Sequence, residues 1–140
     1  MPRRMSVLAA AAAVITVACV GPAVAAPTTA TAPPNKVDVT GAERTGGDVA
    51  VSVTYLCEPV DAAVTLQVFI RRAEGEQMLG AKAAATCDGT PQTQRATATK
   101  VADAEPFTPE SDQSVRIFAS LFQGDKAFEG GTALKRLTLK

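Results

Sequence analysis

The stretch Val49-Ala50-Val51-Ser52-Val53-Thr54-Tyr55-Leu56-Cys57 alternates without a break. Val49, Val51, Val53, Tyr55 and Cys57 share one parity; Ala50, Ser52, Thr54 and Leu56 share the other. Successive side chains of a strand point to opposite faces, so the stretch predicts a half-buried β-strand whose inner row ends in a sulfur. A second alternating run, Leu79, Ala81, Ala83, Ala85 and Cys87, ends the same way. Both sulfurs then project from apolar faces, as a disulfide joining two packed layers requires.

Upstream, residues 1–25 read as a signal peptide and not as part of the fold. Arg3 and Arg4 precede an apolar run from Val7 to Val20, and Ala23-Val24-Ala25 fits the small-x-small cleavage pattern. Secretion is the expected outcome; the other reading, a lipid anchor on Cys19, has Thr16 where such a signal wants a Leu-like residue. Residues 26–35, rich in Thr, Pro and Ala, predict a disordered or polyproline-like leader.

Loss of Arg3 and Arg4 from 14 Lys+Arg leaves 12 against 14 Asp+Glu, a formal charge of −2. A near-neutral chain offers no electrostatic footprint for nucleic acid, and the mature form is expected to have no membrane span. Cleavage also removes Cys19 and leaves two cysteines in an oxidising compartment, which predicts a Cys57–Cys87 disulfide. Two cysteines could otherwise be half of a metal site, but the sequence has no histidine to complete one.

From residue 36 onward, short alternating runs are separated by turn residues. Thr45-Gly46-Gly47-Asp48 predicts a hairpin turn, Glu58-Pro59 ends the second strand, and Cys87-Asp88-Gly89 marks another turn. Strands are expected near 37–42, 49–57, 63–72, 77–87, 93–101, 113–122 and 134–139. The fourth is the weakest, since Gly80 and its alanines have low strand propensity, with an irregular edge as the lesser alternative. Gly124-Asp125 and Gly130-Gly131 bracket the expected last connection, and Phe107 is expected to plug one end of the core. Seven strands with no helical period predict an all-β fold, an immunoglobulin-like antiparallel β-sandwich over residues 36–140 with one disulfide.

Tyr55-x-Cys57 resembles the immunoglobulin tyrosine corner, although here the tyrosine precedes the first cysteine and the chain has no Trp. Val53-Thr54-Tyr55-Leu56-Cys57, then Cys87-Asp88-Gly89, then Phe107-Thr108-Pro109 ahead of Ser114-Val115-Arg116-Ile117, resembles a family of small secreted proteins of high-GC Gram-positive bacteria labelled as a domain of unknown function. The resemblance implies a Gly in a Phe-x-Pro-Gly turn where this sequence has Glu110. The resemblance implies a fold and an extracellular address, and no catalytic residue.

The chemistry of catalysis is sparse. Without histidine there is no Ser-His-Asp or Cys-His machinery. Glu74 and Glu76 flank Gly75 in a turn, where neither carboxylate would be tuned for acid–base work. Glu110 with Asp112, and Asp125 with Glu129, supply oxygens without a calcium-loop pattern. No enzyme activity, metal or cofactor is expected. The functional lead is the outer row of the third and sixth strands: Phe69, Phe118 and Phe122 beside Arg71 and Arg116, a candidate binding face. The expected protein is a monomeric, secreted, non-enzymatic binding module for an unknown extracellular protein or envelope component. The alternatives are a secreted enzyme inhibitor acting through the loop 102–112 and a structural envelope protein.

Overall fold

The computed structural model describes residues 35–140; the expected signal peptide, Cys19 and most of the leader lie outside the described residues. Among the described residues there are seven strands and no helix. The strands are β1 (Lys36–Thr45), β2 (Asp48–Leu56), β3 (Val64–Arg72), β4 (Met78–Ala85), β5 (Gln92–Lys100), β6 (Ser114–Gln123) and β7 (Lys126–Thr138). They pair antiparallel in the order β1-β2-β5-β4-β3-β6-β7.

Alternation sets which side of each strand is buried. The rows Val49/Val51/Val53/Tyr55, Val64/Leu66/Val68/Ile70 and Val115/Ile117/Ala119/Leu121 are all buried and meet in one apolar cluster. Phe107 joins that cluster from the 101–113 loop, as its sequence position predicts. The same loop is tied down by Met78 N–H donating to Glu105 O at 2.9 Å. The two edges of the order meet, since Arg44 N–H in β1 donates to the O of Lys140, just beyond β7, at 3.0 Å, and Lys140 N–H donates to Ala42 O at 3.4 Å.

The pairing is uneven at one seam. β4 pairs with β3 along eight positions, but with β5 only at Leu79↔Lys100 and Gly80↔Thr99. Beyond those two pairs, side chains take over from the backbone ladder. Thr86 N–H donates to the Tyr55 hydroxyl at 3.0 Å, that hydroxyl donates to Gln94 Oε1 at 3.1 Å, and Gln94 Nε2 donates to Ala84 O at 3.2 Å. The Cys57–Cys87 disulfide closes the same end, with 4.9 Å between Cα atoms. Tyr55 is thus buried as a core residue while its hydroxyl replaces missing ladder bonds. β4 is an interior strand on its β3 side and an open one over much of its β5 side.

Turns follow the residues that favour them. Gly46 and Gly47 form the two-residue link between Thr45 and Asp48, with Gly46 at φ 64°. After Cys87, the Asp88 carboxylate accepts from Thr90 Oγ1 at 2.6 Å, from Thr90 N–H at 2.9 Å and from Gln92 Nε2 at 3.2 Å. Those donors, the Thr90 hydroxyl foremost, hold its pKa below the ordinary aspartate value.

One strand differs from the sequence expectation. β7 begins at Lys126 and runs through Gly130 and Gly131, whereas the paired glycines signalled a connection ahead of a strand at 134–139. The β6–β7 turn is Gly124-Asp125 alone, between Gln123 and Lys126. The second glycine pair serves a bulge, with Gly130 at φ 75°.

Candidate functional site

β3 and β6 are direct neighbours, and their pairing brings the predicted face residues opposite one another. Phe69 faces Phe118, and Arg71 faces Arg116. β7 extends both rows, since Leu134 faces Phe118 and Arg136 faces Arg116. Directly opposed residues of an antiparallel pair share a sheet face. The outer surface therefore carries an apolar row, Phe69–Phe118–Leu134, beside a cationic row, Arg71–Arg116–Arg136. The rows lie two residues apart along the strands, about 7 Å, and each spans three strands, about 10 Å.

Phe69, Arg71, Arg116, Phe118 and Leu134 line one groove of about 380 Å³. Leu134 is its outer wall and is 72% exposed, unlike any other large hydrophobic side chain described. Phe69 and Phe118 are half-buried and not fully exposed as their parity alone suggests. For Phe69 the reason lies in β4. Gly80 sits opposite it, and a Cβ there would stand 3.1 Å from Phe69 Cδ1 and 2.6 Å from Val101 Cγ2. The ring lies over the bare glycine backbone, so the residue that weakens β4 as a strand also seats the aromatic.

Phe122 does not join the groove. It faces Thr65 and Ala127, on the far side of the Ser120 position. Ser120 is fully buried, and its hydroxyl hydrogen-bonds Thr132 Oγ1 at 2.8 Å. A polar row, Gln67–Ser120–Thr132, thus separates Phe122 from the other two phenylalanines. The sequence alone does not single out Leu134 and Arg136, because Gly130-Gly131 leaves the register of the last strand open.

The electrostatics of the arginine row are one-sided. Among the described residues, no acidic side chain lines the groove. The two ion pairs among the described residues lie elsewhere, Arg95–Glu43 at 2.7 Å and Lys135–Asp38 at 3.3 Å, both exposed. Glu76 and Glu105 share a second, polar hollow with Arg71, on its other side. Arg116 Nε is buried and has no hydrogen-bond partner among the described residues. Like charges directly across a ladder repel, and a buried unpaired donor costs about 1–3 kcal/mol. Neither feature stabilises the sheet.

The remaining candidates stay dispersed. Glu74 and Glu76 are exposed in the turn between β3 and β4, Asp125 is exposed in the β6–β7 turn and Glu129 is exposed in β7. Loop 102–112, the expected contact of an inhibitor, has Phe107 and Pro109 buried in its middle. No protein-family model matches the sequence, and no curated protein matches it.

Proposed function

We propose that this chain is a secreted, non-enzymatic binding module built on an immunoglobulin-like β-sandwich, and that it binds through the Phe69/Phe118/Leu134 and Arg71/Arg116/Arg136 face. The sandwich reading is supported by the division of the strand order at its two-pair seam. On one side lie β1-β2-β5, on the other β4-β3-β6-β7, and their buried rows share one core. The disulfide, and the signal-like segment ahead of the domain, support export.

A single observation carries the binding reading: an apolar row ending in a leucine that is 72% exposed lies against arginines with no carboxylate in the shared groove. Aromatic anchors with arginine neighbours are the composition that dominates recognition surfaces. The inhibitor reading needs a protruding loop, but segment 102–112 is pinned at its centre by Phe107 and Pro109. The envelope-protein reading has no specific observation in its favour.

The test is affinity capture from the culture supernatant and envelope fraction of the source cells. Wild-type protein is compared with Leu134→Glu and Arg116→Glu variants shown by circular dichroism to be folded. A partner held by the wild type and lost by both variants supports the reading. A partner kept by both variants and lost when 102–112 is replaced sinks it in favour of the inhibitor.

A further inference from the structure

We infer that the occupant of this groove is a small amphipathic anion: a carboxylate, sulfonate or phosphate group carried on an apolar ring or chain. The inference rests on the binding reading above and adds the chemistry of the ligand. The groove's size sets the first limit. About 380 Å³ lies near the lower end of the range for small-molecule sites, and is too small for a folded domain to enter.

Its lining sets the second limit. One half is Phe69, Phe118 and Leu134, two aromatic side chains and a branched alkyl one. The other half is Arg71 and Arg116, with Arg136 next in the same cross-strand row. Guanidinium groups match planar oxyanions with parallel N–H bonds and bind them better than ammonium groups do. An uncharged apolar ligand would leave the arginine row as it is, repelling across the ladder. A hydrophilic anion such as free phosphate would leave the apolar row in water. A molecule with both parts, an oxyanion and an adjoining apolar body, answers both halves.

Charge complementarity favours an anion for a further reason. Arg116 lies between Arg71 and Arg136 in the cross-strand row. An oxyanion over the middle arginine neutralises the repulsion from both sides at once.

The proposal can be tested with two dyes that differ by one group. 1-Anilinonaphthalene-8-sulfonate has a fused aromatic body with a sulfonate; N-phenyl-1-naphthylamine is the same body without it. Fluorescence titration of the folded wild-type protein should give saturable binding of the sulfonate at one per chain. Its affinity should exceed that of the neutral dye by about tenfold or more, as expected for a hydrogen bond to a charged group. Arg116→Gln should weaken the sulfonate by about ten- to a hundredfold and leave the neutral dye unchanged. Arg95→Gln, on the opposite side of the sheet order, should change neither. Leu134→Ser should weaken both without lowering the melting temperature. Equal affinity for the two dyes, with no response to Arg116→Gln, overturns the anion while leaving an apolar binding face in place. Failure of both dyes to bind overturns the small-ligand proposal, and partner capture then decides separately whether the face binds a protein.

Discussion

Opening the Cys57–Cys87 bridge tests how the weak seam between β4 and β5 is held. The bridge closes a loop of 30 residues. In the chain-entropy treatment that loop restricts the unfolded chain by about 12 cal/mol/K, or about 3.6 kcal/mol at 25 °C. For a domain of about one hundred residues, each kcal/mol moves the melting temperature by about 4 °C, so reduction should lower it by about 14 °C. Reduced wild-type protein is the cleaner comparison, because a Cys57→Ala/Cys87→Ala variant also removes a buried sulfur at Cys57. The loss of order should be local. Thr86 N–H, held by the Tyr55 hydroxyl at 3.0 Å, should lose hydrogen-exchange protection before the amides of the β3–β6 pair do. Tyr55→Phe removes a donor to Gln94 and an acceptor for Thr86, and should cost about 1–2 kcal/mol in the oxidised protein. In the reduced protein it should cost less by at least about 0.5 kcal/mol, since both devices clasp the same end of the seam. A loss below about 1 kcal/mol on reduction, even loss of protection across all seven strands, or full additivity with Tyr55→Phe would each refute the account.

Gly80→Ala places a Cβ 2.6 Å from Val101 Cγ2 and 3.1 Å from the Phe69 ring, and should destabilise the fold by about 1–3 kcal/mol in urea titration. The displaced ring should also weaken dye binding, which a purely structural role for Gly80 would leave unchanged. Asp88 should titrate below the ordinary aspartate value in a carboxyl NMR experiment, because the Thr90 hydroxyl, the Thr90 amide and Gln92 stabilise its charged form. With the folded pKa depressed, its contribution is present above the unfolded value of 3.8 and is lost as pH falls through the folded one. Asp88→Asn should remove that part of the acid dependence; an unchanged acid limb would show that the turn does not contribute.

The strand count and the core rows were legible because the period is two and the punctuation is strong. Val64/Leu66/Val68/Ile70 and Val115/Ile117/Ala119/Leu121 leave no doubt which parity is buried, and Thr45-Gly46-Gly47-Asp48 fixes the first hairpin. The cysteine pairing follows from two sulfur-tipped rows and from the even count left if the expected signal peptide is removed. Phe69 and Phe118 were placed on one outer face because the third and sixth strands were expected to be neighbours, which they are. What stayed hidden depends on distant pairing. Nothing local says that Gly80 lies under Phe69, or that Gln94 and Tyr55 replace a broken ladder. Glycine pairs are ambiguous in the same way: Gly46-Gly47 turns the chain, while Gly130-Gly131 lets a strand bulge and continue.

That second pair decides half of the proposed site. Between Phe122↔Ala127 and Ser120↔Thr132, two steps along β6 correspond to five along β7, so three extra residues are absorbed opposite Leu121. Three is odd, and side-chain faces alternate singly. Had the register set by the Gly124-Asp125 turn continued without the bulge, Phe118 would face Gly131 and Arg116 would face Ala133. Leu134 and Arg136 would then point away from the groove. The far end of β7 is anchored independently, with Leu139 buried and Leu139 N–H donating to Gln113 O at 2.9 Å. The bulge reconciles two fixed ends, and its glycines permit it: Gly130 sits at φ 75°, and a Cβ on Gly131 would stand 2.9 Å from Phe128 Cβ. Deleting residues 129–131 should therefore join Phe128 to Thr132 in regular register, with Leu134 still opposite Phe118. The melting temperature should change by no more than about 4 °C, the equivalent of about 1 kcal/mol, and sulfonate-dye binding should persist. Deleting Gly130 alone leaves an even excess of two, so one end must slip by one residue or the bulge must strain; dye binding or stability should fall. Loss of binding in the three-residue deletion, with retention in the single one, would mean that the bulge itself shapes the groove and that register does not.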